Sequence, residues 1–514
     1  MAMELKKMGE EKSSPVLNYS NILGEIKMMF KLRNDSFIRI FDNFGYIVNQ
    51  QKKNDRIYDK IGSIFLQQIL REPQEIITVT KKIVDKFNDV PFKKVYADFK
   101  NFLSELERNY FILTANSLNE LNKKEANHEE NIDNFSNKSL IGSKSPKLES
   151  TKTFLNKYFF TNPTVFALQI ELTTFCNEHC LHCYIPQKYR NTLLTYKSIC
   201  GILDQARDMQ TLAVSFSGGE PMSHPDFIKI LEYAREKDFS ITILSNLTLL
   251  NTEILETLKR INVNQIQVSL YSMTPKIHDS ITKIAGSFSK TYNAIKSLIK
   301  NNIPLRISCP LTKLNYISYK EVLQFGQKNN IKVDTDFTIM ARSDYSTDNL
   351  QFRLTSEEIQ TVLHDIFIYN SKYTQSLLKY KPYSVEEKQQ DNERPLCGVG
   401  FNKIAISSSG NVIPCAGWHN LKLGHIGDDK LLDIWTNSFH LNNIRKLKQK
   451  DFSECVNCEA KKYCSICLLR NFNEYNGDML KFNKIQCEVA FQTMNTAKEL
   501  FFDKNIHFEE RLDM

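Results

Sequence analysis

The stretch Glu171-Leu172-Thr173-Thr174-Phe175-Cys176-Asn177-Glu178-His179-Cys180-Leu181-His182-Cys183-Tyr184 decides how the rest of the chain is read. It starts where the apolar run Thr164–Glu171, a strand pattern, comes to its end, and it carries three cysteines in a C-x3-C-x2-C spacing. Toward the C-terminus, further strand patterns occur at Leu212–Ser217, Ser240–Ser245, Gln265–Tyr271, Pro304–Ser308 and Lys332–Ile339. Helical patterns fill the gaps, for example Pro225–Lys237 and Ser289–Lys300. Six β/α-type units predict an α/β fold with a parallel sheet, a partial (β/α)6 barrel short of closed eight-stranded form. Loops at the strand C-termini build the sites of such barrels, so the cysteine loop is expected at the mouth.

The composition agrees with a multi-domain globular protein. The chain has 514 residues, 41% hydrophobic and 25% charged, which excludes a fibrous or mostly disordered polymer. A net charge of +8 over this length is mild and does not make the dense basic face that DNA binding wants. No signal-peptide pattern and no membrane-length apolar run occur, so a cytoplasmic protein with reduced thiols is expected, with no membrane partner. Twelve cysteines then point to metal or redox chemistry. They are unevenly placed. The first 175 residues have none, Cys200 and Cys309 stand alone, and seven crowd the tail. Cys200 lies in a helical pattern and reads as a small packed hydrophobe; Cys309 ends a barrel strand.

Three closely spaced thiolates can hold three irons of a [4Fe–4S] cubane and leave the fourth open to a ligand. The alternative is zinc, with His179 or His182 completing the set. A second motif, Ser217-Gly218-Gly219-Glu220-Pro221, ends the next strand at the same mouth. Its glycines let backbone approach a small polar ligand, and its carboxylate can receive an ammonium group. Together these motifs resemble the radical SAM (S-adenosylmethionine) superfamily. That resemblance implies that Cys176, Cys180 and Cys183 ligate the catalytic [4Fe–4S] cluster and that S-adenosylmethionine chelates its open iron. It implies that Gly218, Gly219 and Glu220 hold the methionine moiety, with Ser245, Asn246 and Ser269 contacting the cofactor. The implied reaction is reductive cleavage to a 5′-deoxyadenosyl radical that abstracts a substrate hydrogen.

The tail runs Cys397-x12-Gly410-x4-Cys415, then Cys455-x2-Cys458-x5-Cys464-x2-Cys467, then Cys487. It resembles the SPASM domain, the auxiliary-cluster module of peptide-modifying radical SAM enzymes, although the last interval of the quartet is x2 where that family usually has x3. The resemblance assigns Cys455, Cys458, Cys464 and Cys487 to a distal auxiliary cluster and Cys397, Cys415 and Cys467 to a proximal one, making three [4Fe–4S] clusters in all. Two fully ligated clusters need eight thiolates and the tail has seven. The proximal cluster is therefore expected to keep an open iron that could take a substrate thiolate, or to draw a further ligand from Cys309 or His419. The segment from His278 through Phe288 resembles a stretch of SPASM peptide maturases. His278 and Asp279 are its weak catalytic candidates, against a helix-cap and turn reading. Arg306 and Asp336 read as salt-bridged core.

The expected domains are 1–123, 124–155 as a polar linker, 156–350 as the barrel, 351–390 as a helical bridge and 391–514 as the cysteine-rich tail. In the first, Ser36–Asp42, Tyr46–Val48 and Ile57–Tyr58 read as strands. A helix capped by Asp59 with Ile61, Phe65 and Ile69 on one face follows, then helices over Glu75–Phe87 and Lys94–Arg108. This winged-helix-like pattern resembles the PqqD-like element that binds leader peptides by strand addition. The whole is expected to be an enzyme that installs a crosslink, foremost a Cys thioether, in a ribosomal precursor peptide. It would draw electrons from a flavodoxin or ferredoxin. Alternatives are carbon–carbon or carbon–oxygen crosslinks, formylglycine formation on a sulfatase, and a non-enzymatic iron–sulfur sensor binding nucleic acid.

Overall fold

In a computed structural model, residues 28–87, 90–130, 150–369 and 384–502 are described. The chain divides into two units, one running to residue 141 and one from residue 142 onward, with Arg39–Phe41 and Asp55–Ile57 belonging to the second.

The first unit contains β1 (Met29–Leu32), β2 (Ser36–Ile40), β3 (Gly45–Asn49), β4 (Asn54–Tyr58), α1 (Lys60–Leu66), β5 (Gln74–Glu75), α2 (Ile76–Val84), α3 (Phe92–Arg108), β6 (Ile112–Ala115) and α4 (Leu118–Glu130). The expected three strands form one sheet in the order β2-β3-β4. A second sheet, β5-β1-β6, brackets them in sequence and had no expected counterpart, because its strands are only two to four residues long. Asp59 caps α1 by accepting the Gly62 N–H at 2.9 Å. The helix stops at Leu66; within it Ile61 faces outward at 57% exposure, while Phe65 and, beyond its end, Ile69 are buried. On α3, Val95, Phe99 and Leu103 are buried and Phe102 packs edge-on to Tyr58 and Phe65. The polar stretch expected as linker from residue 124 begins inside α4. At its far end, α5 (Thr151–Thr161) already starts, capped by Ser150.

The second unit is built on β7 (Ala167–Thr173), α6 (Tyr196–Asp208), β8 (Ala213–Gly218), α7 (Phe227–Glu236), β9 (Ser240–Ser245), α8 (Thr252–Arg260), β10 (Gln265–Ser269), α9 (Pro275–Thr282), α10 (Ser287–Lys300), β11 (Leu305–Pro310), α11 (Tyr319–Lys328) and β12 (Lys332–Asp336). Strands β7 to β12 pair in sequence order and all in parallel, as a (β/α)6 sheet. Apolar residues alternate with polar ones along most of these strands, and the apolar set packs together: Leu168, Ile170, Val214, Phe216, Ile243, Ile266, Val268 and Ile307 sit in one core. Two expected strands end early. Strand β12 stops at Asp336 because that carboxylate accepts the N–H and hydroxyl of Thr338, turning the chain.

The sheet does not stop at β7. The tail contributes β13 (Lys403–Ile406), β14 (Asn411–Ile413) and β15 (Gly424–His425), giving nine strands in the order β12-β11-β10-β9-β8-β7-β13-β14-β15. Strand β13 pairs in parallel with β7, Ile404 beside Leu168 and Ile406 beside Ile170. The β13–β14 turn needs Gly410 at φ +80°, and an added Cβ there would meet the His425 ring at 2.8 Å. Between barrel and tail, α12 (Ser356–Tyr369) and a helix over Val385–Asn392 occupy part of the expected bridge. A long helix, Lys484–Phe502, ends the described chain.

Candidate active site

The cysteine triplet lies in the loop after β7. The register of β7 on β8 shifts between Glu171 and Thr173, a bulge at the point where the strand hands over to the loop. The loop is held by backbone from the next strand: Gly219 N–H donates to Thr173 O and Glu220 N–H to Phe175 O, both at 2.7 Å. Gly218 has φ +137°, and a Cβ on Gly218 or Gly219 would meet Thr173 O or Phe175 O at 2.1 Å. The close approach that these glycines permit is thus to the cysteine loop itself.

Glu220 differs from its expected part. Its carboxylate is fully buried and accepts the Met222 N–H (3.0 Å), the Ser245 hydroxyl (2.7 Å) and the Asn246 N–H (2.8 Å). It locks the end of β8 to the end of β9 and faces no open mouth. Burial pushes its pKa up to about 7 in spite of those donors. Asn246 passes the connection on, donating to Asn177 inside the triplet at 2.9 Å and accepting from Thr248. Ser269 shares the Tyr271 hydroxyl with Cys180, whose sulfur lies 3.7 Å from that oxygen.

Within the triplet, Cys180 lies in electrostatic reach of both Cys183 and Cys176. Burial pushes the Cys176 thiol up to about 12 and the Cys180 thiol well above its usual range. Glu178, between them, is buried and raised to about 7 by desolvation; its Oε2 takes the Cys180 thiol hydrogen at 3.4 Å. Its Oε1, His182 Nδ1 and Arg190 Nε are buried without partners. His182 is held down to about 4 by burial and packs edge-on to Tyr271. Such a set of half-buried thiols, two of them held toward the protonated form by desolvation, with orphaned buried polar atoms around it, fits a group that binds thiolates and supplies positive charge, and loading it releases protons.

The tail cysteines fall into two groups. Cys415 senses Cys467 and Cys397, and Cys397 senses Cys467. Separately, Cys464 senses Cys487, Cys455 and Cys458, while Cys455 and Cys487 each sense Cys458. Burial raises Cys415 and Cys464 to about 12 and Cys455 to about 11. Among the described residues, no three His, Cys, Asp or Glu side chains crowd closely enough to hold a single metal ion. A cubane spreads its thiolates over separate irons and takes a wider set.

The other candidates are brought elsewhere. Cys309 is fully buried, its thiol directed to Tyr271 O at 3.6 Å. Cys200 is half-buried on α6. Asp279 accepts the Gly286 N–H (2.7 Å), the Phe288 N–H (2.8 Å) and the Ser287 hydroxyl (2.9 Å), which builds the entry to α10. His278 is buried between Tyr271 and Phe288 and held down to about 4 by burial. Arg306 pairs with Asp334, and Asp336 with Arg470; both pairs are partly exposed, where a buried core had been expected.

Glu171, given no part by the sequence reading, meets His419, which that reading offered only as a cluster ligand, across 248 positions. Glu171, fully buried on β7, holds His419 Nε2 at 2.7 Å through Oε2 and the Tyr184 hydroxyl at 3.3 Å through Oε1. Tyr184 senses both Cys183 and Cys415, so this trio lies between the triplet and the tail set. The sequence signal for Glu171 was a charged residue in an otherwise uncharged strand.

Residues 170–326 match the model of the radical SAM superfamily, and residues 397–459 match SPASM, an iron–sulfur cluster-binding domain. The chain carries a radical SAM domain and a SPASM domain. It is an enzyme that works by radical chemistry, with S-adenosylmethionine and iron–sulfur clusters as cofactors. The radical SAM match runs from within β7 through β11 and takes in the triplet, and the SPASM match includes β13 to β15. The antilisterial bacteriocin subtilosin biosynthesis protein AlbA of Bacillus subtilis is 28% identical over 356 residues, 65% of this chain and 73% of that protein. An AdoMet-dependent heme synthase of Methanosarcina barkeri is 24% identical over 60% of this chain and 93% of its own length. The PqqA peptide cyclase of Gluconobacter oxydans is 23% identical over 58% of this chain and 83% of its own. In fold, the chain is similar to Streptococcus suis SuiB bound to precursor peptide SuiA, with a TM-score of 0.56, 16% identity, 89% of this chain and 99% of that one. Among the described residues, no helix is long and apolar enough to cross a membrane.

Proposed function

We propose that this radical SAM enzyme installs a crosslink, foremost a thioether from a cysteine sulfur, in a ribosomally made precursor peptide. The observation that carries the reading is the three-plus-four grouping of the tail thiols, with Cys397 exposed at the smaller group. In this reading Cys176, Cys180 and Cys183 hold the catalytic cluster. Cys455, Cys458, Cys464 and Cys487 hold a distal auxiliary cluster, and Cys397, Cys415 and Cys467 hold a proximal one with a ligand position left for a peptide thiolate. Gly218, Gly219, Ser245, Asn246 and Ser269 shape the cofactor's bed, while Glu220 braces it from behind. The names of two relatives, a subtilosin biosynthesis protein and a PqqA peptide cyclase, support a peptide substrate.

The first unit serves as a PqqD-like, winged-helix leader-recognition domain in this reading. Support comes from its small β2-β3-β4 sheet, whose outer strands β2 and β4 each have one neighbour in that sheet. A flavodoxin or ferredoxin supplies the electron. The test is mass spectrometry of a candidate precursor peptide incubated with reconstituted enzyme, S-adenosylmethionine and reductant. A thioether appears as the loss of two hydrogens with one cysteine made inert to alkylation. A two-hydrogen loss with every cysteine still alkylatable would select a carbon–carbon or carbon–oxygen crosslink. No 5′-deoxyadenosine with any peptide would end the reading.

A further inference from the structure

We propose that His419, steered by Glu171, is the acceptor of the crosslink partner's proton in this reaction. The inference rests on the crosslinking function above, and it starts from stoichiometry. Each crosslink removes two hydrogens from the peptide. One leaves as an atom: the substrate C–H breaks, and the hydrogen joins the 5′-deoxyadenosyl radical to give 5′-deoxyadenosine. The carbon radical bonds to a partner atom X whose hydrogen is lost as a proton, for a peptide thiol when its sulfur takes the open ligand position, and forming the C–X bond leaves one electron over. The tail cysteines would hold an oxidised iron–sulfur cluster able to accept that electron. The proton needs a base, whether X is sulfur, oxygen or an aromatic carbon.

The candidates that the sequence offered do not fit. Asp279 has its carboxylate engaged by three donors in the turn before α10, and His278 is 1% exposed. Glu220 is sealed behind three donors. The Glu171–His419 pair has the required construction. Glu171 Oε2 sits 2.7 Å from Nε2, which fixes the tautomer with hydrogen on Nε2 and leaves the Nδ1 lone pair to accept. Nδ1 has no hydrogen-bond partner among the described residues, and the side chain keeps 23% exposure against 0% for Glu171. The Tyr184 ring lies near-parallel to the imidazole, 6.2 Å between centroids at 23°, and its hydroxyl takes the other Glu171 oxygen. Burial works against a charged His419, yet the bond and charge of Glu171 hold its pKa above the usual value, so a proton once taken is stabilised. The pair joins β7, whose loop carries the triplet, to the segment just after Cys415. A base there lies between the triplet that would hold the catalytic cluster and the tail cysteines that would hold the proximal one.

This assignment excludes His419 as the missing eighth cluster ligand. The experiment uses the reconstituted full chain and the peptide from which the wild-type enzyme removes two hydrogens, deuterated at the abstracted position. His419→Gln can still donate to Glu171 but cannot accept a proton. It is expected to form deuterated 5′-deoxyadenosine within a few-fold of wild type while crosslinked product falls about a hundredfold or more. Glu171→Gln, a positioning change, should move the ratio of deoxyadenosine to product in the same direction. Pulsed EPR of the reduced wild-type chain should show no imidazole nitrogen bonded to iron, and His419→Gln should keep the wild-type iron content and cluster spectra. Product formed at the wild-type rate, deoxyadenosine lost in parallel with product, or a bonded imidazole nitrogen would each overturn the assignment. The wild-type peptide reaction is the separate control on the crosslinking reading.

Discussion

Replacing Gly219 with alanine tests the packing beneath the radical SAM site. The new Cβ would lie 2.1 Å from Phe175 O, 2.5 Å from Phe175 C and 2.6 Å from Thr174 O, all backbone atoms with no flexible end to swing away. A carbon and a carbonyl oxygen approach no closer than about 3.3 Å, so the loop must retreat by about 1 Å. That movement breaks the bonds from Gly219 N–H to Thr173 O and from Glu220 N–H to Phe175 O. Two lost hydrogen bonds at about 1 kcal/mol each, plus an overpacking cost of about 1–3 kcal/mol, give roughly 3–5 kcal/mol. The displaced backbone leads directly into Cys176. Thermal unfolding of Gly219→Ala should fall by several degrees, and the reconstituted protein should lack about four irons per chain. Gly201→Ala is the matched control. It lies in α6 with nothing within 4 Å of an added Cβ, so it should be stabilising by up to about 1 kcal/mol with full iron. A Gly219→Ala protein with wild-type melting temperature and iron content would refute the packing argument.

Glu220 gives the metal-free chain a pH dependence. Its folded pKa of about 7 lies above the ordinary carboxylate value, so the folded state binds the extra proton. Its contribution to stability is highest below the unfolded pKa and is lost as pH rises through about 7; denaturant titrations at several pH values should show this, and Glu220→Gln should reduce the slope, leaving the part that Glu178, also raised to about 7, supplies. Asp279→Ala should destabilise by about 1–2 kcal/mol through loss of the α10 entry, while 5′-deoxyadenosine formation per folded enzyme stays near wild type. Cys458→Ala should remove about four irons, whereas Cys200→Ala should remove none, as read by iron analysis and the visible spectrum.

Much of this architecture was legible because its signals are local. The C-x3-C-x2-C spacing, the Gly-Gly-Glu at a strand end and six apolar strand patterns each occupy a few consecutive residues, and the parallel sheet follows from their order. What escaped depends on partners far apart in the chain. Glu220 reads as an open acceptor until Ser245 and Asn246 are seen closing on it. Gly218 and Gly219 read as room for a ligand, and the space they leave is filled by Thr173 and Phe175 backbone. Nothing near Glu171 announces His419. The β13–β15 extension was missed because its strands are two to four residues long and pair with β7 only through tertiary contact.

That extension bears on how the enzyme can be divided. Strand β7 is flanked by β8 on one side and β13 on the other. Truncation anywhere before Lys403 would strip one flank and leave β7 with a bare row of amides and carbonyls, carrying Leu168 and Ile170 toward solvent. A barrel expressed alone should therefore aggregate or pair with another copy through that edge, and the tail alone would present the complementary edge of β13. The auxiliary-cluster module is, in its strands, part of the radical SAM barrel's own wall, and grafting it onto another barrel would require re-registering a strand as well as joining a linker.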